Sequence, residues 1–172
     1  MEGIRGAMII EYYRPTVISD ALALLARQEP HTLPLAGGTA LNQPSQDAFA
    51  VVDLQELGLG GMQHKGNSLI LGAMFTLQAL LESKGIPEAL AVVIQHEATY
   101  NLRNLATVAG TLIAADGRSP FTTTLLALDA QLKYMPGEGT ISLGNLLPQR
   151  KQFLVGKLIT QVTLPADVKL AY

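Results

Sequence analysis

Two runs of small residues are where this sequence could do chemistry. The first is Pro34, Leu35, Ala36, Gly37, Gly38, Thr39, Ala40 and Leu41. The second lies about seventy residues on, after Arg103-Asn-Leu-Ala, and is Thr107, Val108, Ala109, Gly110 and Thr111. Where small residues follow one another, successive backbone N–H groups can converge with no side chain in the way. Such a concave row of donors cradles an anion. Two cradles imply a ligand with two phosphates, and so a dinucleotide. Each run also has a plainer reading. Gly-Gly between a strand and a helix makes a tight turn, and a lone Gly110 among small residues allows close packing. Neither run is a P-loop, because no Gly-Lys-Ser/Thr follows. Neither has the third glycine and the downstream acid of the Rossmann fingerprint.

Other chemistry-bearing residues are sparse. The chain has no cysteine, which excludes disulfides, cysteine-ligated iron–sulfur clusters and a thiolate nucleophile within it. His31, His64 and His96 lie about thirty residues apart, and no pair has metal-ligand spacing. They read as surface or structural residues, and no metal is expected. Asp116 and Arg118 form, on the simplest reading, a solvated loop pair. The net charge is −2, which gives no basic field for nucleic acid. No apolar run is long enough to span a bilayer. The first residues lack the apolar core of a signal peptide, so the cytoplasm is the expected compartment. With 48% apolar and 15% charged residues in 172, the chain can bury a substantial core.

The elements that must position the two runs can be read from pattern. Met8–Tyr13 is rich in branched and aromatic residues and reads as a strand that Pro15 ends. Thr16 or Ser19 can cap a helix with apolar Ala21, Leu22, Leu24 and Leu25, ending near Gln28. Thr32 to Ala36 is a second strand running into the glycines, and Phe49 to Asp53 a third. A hairpin follows, Gly61–His64 and Ser68–Gly72 around the turn Lys65-Gly66-Asn67. Thr76 caps a helix through Glu82, and Pro87 opens another to about Glu97. Phe121–Asp129 reads as a buried helix. Ala130–Tyr134 and Leu158–Leu164 read as strands. Hairpins mixed with single helices indicate an α+β fold rather than a doubly wound sheet. The expected organisation is a flexible N-terminus over residues 1–7, a small β-α-β lobe over 8–60 and a larger lobe of mixed or antiparallel sheet with helices over 61–172.

In this order the motifs resemble the FAD-binding domain of the medium, flavoprotein subunits of the xanthine dehydrogenase and carbon monoxide dehydrogenase class. The likeness runs from Tyr12-Tyr13-Arg14-Pro15 through Ala36-Gly-Gly-Thr39, Asp53-Leu54 and Ile70-Leu-Gly-Ala73. It continues through Leu102-Arg-Asn-Leu-Ala-Thr-Val-Ala-Gly110 and Leu125-Leu-Ala-Leu-Asp-Ala130 to Leu164-Pro165. The resemblance implies a two-lobed FAD-binding fold of the molybdopterin dehydrogenase type. It implies that Pro34–Leu41 and Thr107–Thr111 hold the FAD pyrophosphate from two sides, chiefly through main-chain N–H groups. It implies a role in an oxidoreductase that passes electrons between partner iron–sulfur centres and an acceptor. The partners would be an iron–sulfur subunit and a molybdopterin subunit, with no catalytic side chain and no metal in this chain.

Three departures from the family pattern are visible. Its second loop usually reads Thr-Ile-Gly-Gly-Asn, and here Ala109 stands for a glycine. An aspartate that contacts FAD in the family has Pro120 in its place, and Asp116, the nearest acid, is the residue expected to contact FAD instead. The family also continues past residue 172 with a lysine-bearing strand and a helical C-terminal domain, both expected to be absent; Lys169 is too early for that lysine. The departures keep two other readings open. One is a flavin fold without bound FAD that serves as an interaction module. The other is a protein for another nucleotide such as ADP.

Overall fold

The computed structural model describes residues 8–40 and 48–167. Its first lobe holds β1 (Met8–Tyr13), α1 (Ile18–Leu25), β2 (Thr32–Leu35) and β3 (Ala48–Asp53). The three strands form a wholly parallel sheet in the order β1-β3-β2. Parallel strands need crossover connections, and α1 lies in the one between β1 and β2. The central strand β3 is buried on both faces from Phe49 to Asp53, as its unbroken apolar run requires. Pro34 lies in β2, an edge strand, where a missing N–H costs no ladder bond. Helix α1 ends at Leu25, short of Gln28, and its N-cap is Val17, which makes no side-chain capping bond. Neither Thr16 nor Ser19 takes the capping role expected of them.

The second lobe begins with the hairpin of β4 (Met62–Lys65) and β5 (Ser68–Gly72), paired in the register expected of a Lys65-Gly66-Asn67 turn. Helices α2 (Leu77–Leu81), α3 (Glu88–Glu97), α4 (Tyr100–Arg103), α5 (Val108–Ala114) and α6 (Pro120–Ala127) follow. Then come β6 (Gln131–Met135), β7 (Gly139–Ser142), α7 (Leu143–Leu146), α8 (Arg150–Phe153) and β8 (Leu158–Pro165). The five strands make an antiparallel sheet in the order β4-β5-β8-β6-β7. Leu71, Val162, Leu132 and Ile141 stand opposite one another across four strands. With Leu69 and Leu164 they present one apolar face, the row that a period of two produces. Leu80, Ile94, Leu112, Phe121 and Leu125 cover that face from the helices and are fully buried.

Helix caps fix where the chain turns onto this face. Thr76 Oγ1 accepts from Ala79 N at 3.2 Å, the cap read from sequence. Ser119 Oγ accepts from Thr122 N at 3.0 Å, with Pro120 at the first helical position. Glu97 reaches across from α3 to accept from Phe121 N at 2.9 Å, a carboxylate at the positive end of a helix.

Candidate functional site

The two runs of small residues meet. After β2, Gly37 passes so close to the second lobe that a Cβ there would lie 1.7 Å from the Leu105 carbonyl oxygen. A Cβ on Gly110 would lie 3.8 Å from the Ala36 Cβ. Gly38 has φ +71°, the left-handed region, which turns the chain away again. Between the lobes lies a cleft of about 680 Å³, within the range of small-molecule sites. Pro34, Ala36, Gly37, Gly38, Thr39 and Ala40 line it from the first lobe, and Thr107, Ala109 and Gly110 from the second.

The remaining expected residues fall elsewhere. Leu35 packs beneath the loop, its Cδ1 3.5 Å from where a Gly38 Cβ would be. Val108 is fully buried in the core. Thr111 is not in the lining, and its Oγ1 is buried with no partner among the described residues. Asp116 lies outside the lining too. It pairs with Arg118 at 3.1 Å on the surface. The backbone N–H and side chain of Arg118 hold its carboxyl below the usual range. Leu41 lies outside the described residues.

The two walls differ in the donors they offer. Among the described residues, no acceptor takes the amides of Gly37, Gly38 or Thr39. The second run, expected as a loop with converging amides, is instead the first turns of α5. Four of its five N–H groups are already bonded, among them Val108 to Phe75 O at 2.8 Å, Ala109 to Ala73 O at 3.1 Å and Thr111 to Thr107 O at 2.8 Å. Gly110 N donates to Thr107 Oγ1 at 3.1 Å. These bonds stitch α5 to the segment joining β5 and α2. The second run therefore gives the cleft chiefly shape, with the Thr107 N–H its one main-chain donor without a partner among the described residues. Ala109 is helical and has no positive φ. Its methyl group is unstrained and affects only how closely a ligand approaches.

A third wall was missed. Arg150 and Lys151 on α8, and Leu154, Gly156 and Lys157 after it, line the cleft; so do Arg27 and His31 beside the first lobe. The sequence signal was the pair Arg150-Lys151 in a chain with few charges, set between Leu-Leu-Pro and Phe-Leu-Val. The apolar part of the lining includes Leu25, Met74, Ile113 and Leu158. The cleft thus offers amides without a partner among the described residues at one place and aliphatic surface for a flat ring at others. Small residues stand where the lobes come closest. These features fit a dinucleotide such as FAD, with most of the main-chain donors on one side.

Comparison with known proteins shows the family and the fold. The sequence model of the FAD binding domain in molybdopterin dehydrogenase matches residues 8–167. The chain belongs to this family. It is 34% identical over 142 residues to uncharacterized protein YgfM of Escherichia coli (strain K12), covering 81% of this chain and 54% of that protein. It is 28% identical over 167 residues to the carbon monoxide dehydrogenase medium chain of Afipia carboxidovorans, covering 90% of this chain and 58% of that one. Among solved structures, quinoline 2-oxidoreductase from Pseudomonas putida 86 superposes with a TM-score of 0.79 at 22% identity, over 92% of this chain and 59% of that one. That likeness shows the α+β fold. The chain spans somewhat over half the length of the relatives it matches.

Proposed function

We propose that this chain is the FAD-binding part of a medium, flavoprotein subunit in a cytoplasmic molybdenum-hydroxylase-type oxidoreductase. Electrons would pass between iron–sulfur centres of a partner subunit and an acceptor, while a molybdopterin subunit handles the substrate. One observation carries this reading: Gly37, Gly38 and Thr39, whose amides have no partner among the described residues, line one cleft with the start of α5. Bound FAD would supply the redox chemistry, accepting two electrons and releasing them singly or in pairs. The chain's own residues bind and orient. The three amides suit a diphosphate, each charge-assisted bond being worth about 1.5–3 kcal/mol. Leu25, Met74 and Ile113, which line the cleft, would give a bound flavin ring an apolar surface that excludes water.

The test is reconstitution. The purified chain mixed with FAD and desalted should hold a yellow chromophore and quench flavin fluorescence saturably. A chain that stays colourless and gives no saturable quenching would end this reading. It would favour the alternative, an interaction module without flavin, to which the internally bonded amides of α5 lend support. Such a module would still associate with iron–sulfur and molybdopterin partner subunits.

A further inference from the structure

The wall built by α8 and the turn after it is positively charged and uncompensated. Arg27, Arg150, Lys151 and Lys157 all line the cleft, and among the described residues no Asp or Glu does. Arg27 is neutralised by Glu11 at 3.0 Å. The other three are not: among the described residues no carboxylate pairs with them. Arg150 Nη2 donates to the Ala115 carbonyl at 2.7 Å, a neutral partner that leaves the charge in place. Lys157 Nζ lies 4.0 Å from the centroid of the Phe153 ring, which holds the ammonium by a cation–π contact. Three cations gathered in an acid-free cleft, in a chain of net charge −2, focus a positive potential there.

This wall answers a shortage. A diphosphate brings negative charge on both faces, and of the second run only the Thr107 N–H lacks a hydrogen bond among the described residues. We propose that the ligand's phosphates are held between the amides of Gly37 to Thr39 and the side chains of Arg150, Lys151 and Lys157. The cations take the part expected of the Thr107–Thr111 amides. Guanidinium and ammonium donors bind phosphate oxygens with charge-assisted bonds, and Arg150 can do so bidentately. The inference rests on the flavin reading for the ligand's identity, but not for its charge.

The experiment titrates the full chain with FAD, with ADP and with riboflavin, which has no phosphate. The variants are Lys151→Glu and the pair Arg150→Ala with Lys157→Met. Lys151 is exposed, so its reversal leaves the fold intact; thermal melting checks the pair, because Arg150 also holds the Ala115 carbonyl. FAD and ADP affinity should fall by about tenfold or more in each variant, while riboflavin binding stays as in the parent. Raising KCl should weaken FAD binding to the parent more than to Lys151→Glu. Unchanged FAD and ADP affinities in both variants would overturn the inference and leave the flavin reading standing. A parent that binds ADP but not FAD, with ADP binding lost in the variants, would overturn the flavin reading and uphold the basic wall. A parent that binds neither would overturn both.

Discussion

Gly37 and Gly38 are adjacent but constrained by different physics. At Gly37 the limit is space, because a methyl group would sit 1.7 Å from the Leu105 carbonyl oxygen. The loop must then lift off the second lobe, at a cost of about 1–3 kcal/mol for overpacking. At Gly38 the limit is conformation. A side chain there meets only Leu35 Cδ1 at 3.5 Å, but φ +71° costs an L-residue about 1–2 kcal/mol. Gly37→Ala should therefore lower the melting temperature and weaken FAD together. Gly38→Val should leave a folded chain that no longer binds FAD, because the branched side chain covers the amides. Circular dichroism melts and fluorescence titration check both. Retained affinity in Gly38→Val would reduce the run to a turn. Ala109 predicts effects of opposite sign. Glycine in a helix interior costs about 0.5–1 kcal/mol relative to alanine, yet removing this methyl opens the cleft. Ala109→Gly should melt earlier and bind FAD more tightly. Weaker binding would show that the methyl group is a contact rather than an obstruction.

At the scale of elements, legibility followed how far each element is fixed by its own residues. The β4–β5 hairpin and the Thr76 cap were readable because a turn sequence and a hydroxyl set them locally. Helix α5 was not. Thr107-Val-Ala-Gly-Thr111 combines β-branched residues with glycine, all poor helix formers, and the helix is held by carbonyls of Ala73 and Phe75 more than thirty residues away. The same distance hid α8, whose Arg150 is placed by Ala115. Another long-range tie joins the strands of the first lobe and makes its own prediction. The Tyr12 hydroxyl on β1 donates to Asp53 Oδ2 on β3, and Asp53 also receives Gln55 N at 3.0 Å and faces Arg14 at 3.5 Å. The bond to Asp53 comes first, before desolvation and the Asp53 charge, in raising the phenol above its ordinary value of 10.0. Because the folded value is the higher one, this stabilisation is complete below pH 10 and is lost as pH rises through the folded value. In an ultraviolet titration Tyr12 should ionise above the ordinary phenol range. In Tyr12→Phe that late phase should vanish, and the alkaline loss of thermal stability should be smaller than in the parent.

At the scale of the molecule, the cleft exists only because two cores are joined across it. The first-lobe core comprises Ala21, Leu25, Val52, Leu54 and Leu57, and Leu158 completes it from the start of β8. One residue later, Ile159 belongs to the second core, with Val162 and Leu164 further along the strand. Met74, at the exit of β5, also packs against the first core. Strand β8 therefore serves both lobes, and the first core closes only with Leu158 and Met74 of the second lobe. The sequence marked β8 as a strand through its β-branched alternation, but nothing local said that its first residue serves the opposite lobe. The expected consequence is a single cooperative unfolding transition, with near- and far-ultraviolet circular dichroism coincident and calorimetric and van't Hoff enthalpies equal. Leu158→Ala should cost about 2–5 kcal/mol, as large-to-small changes in a core do. It should shift that one transition rather than split it, because the first lobe has no independent core to retain. FAD should raise the transition temperature of the parent in proportion to the logarithm of its excess over the dissociation constant. The rise should be smaller in Leu158→Ala, whose side chain lines the cleft as well as the core. Two resolved transitions in the parent, only one of them moved by FAD, would mean that the lobes fold separately and that the ligand rests on one of them alone.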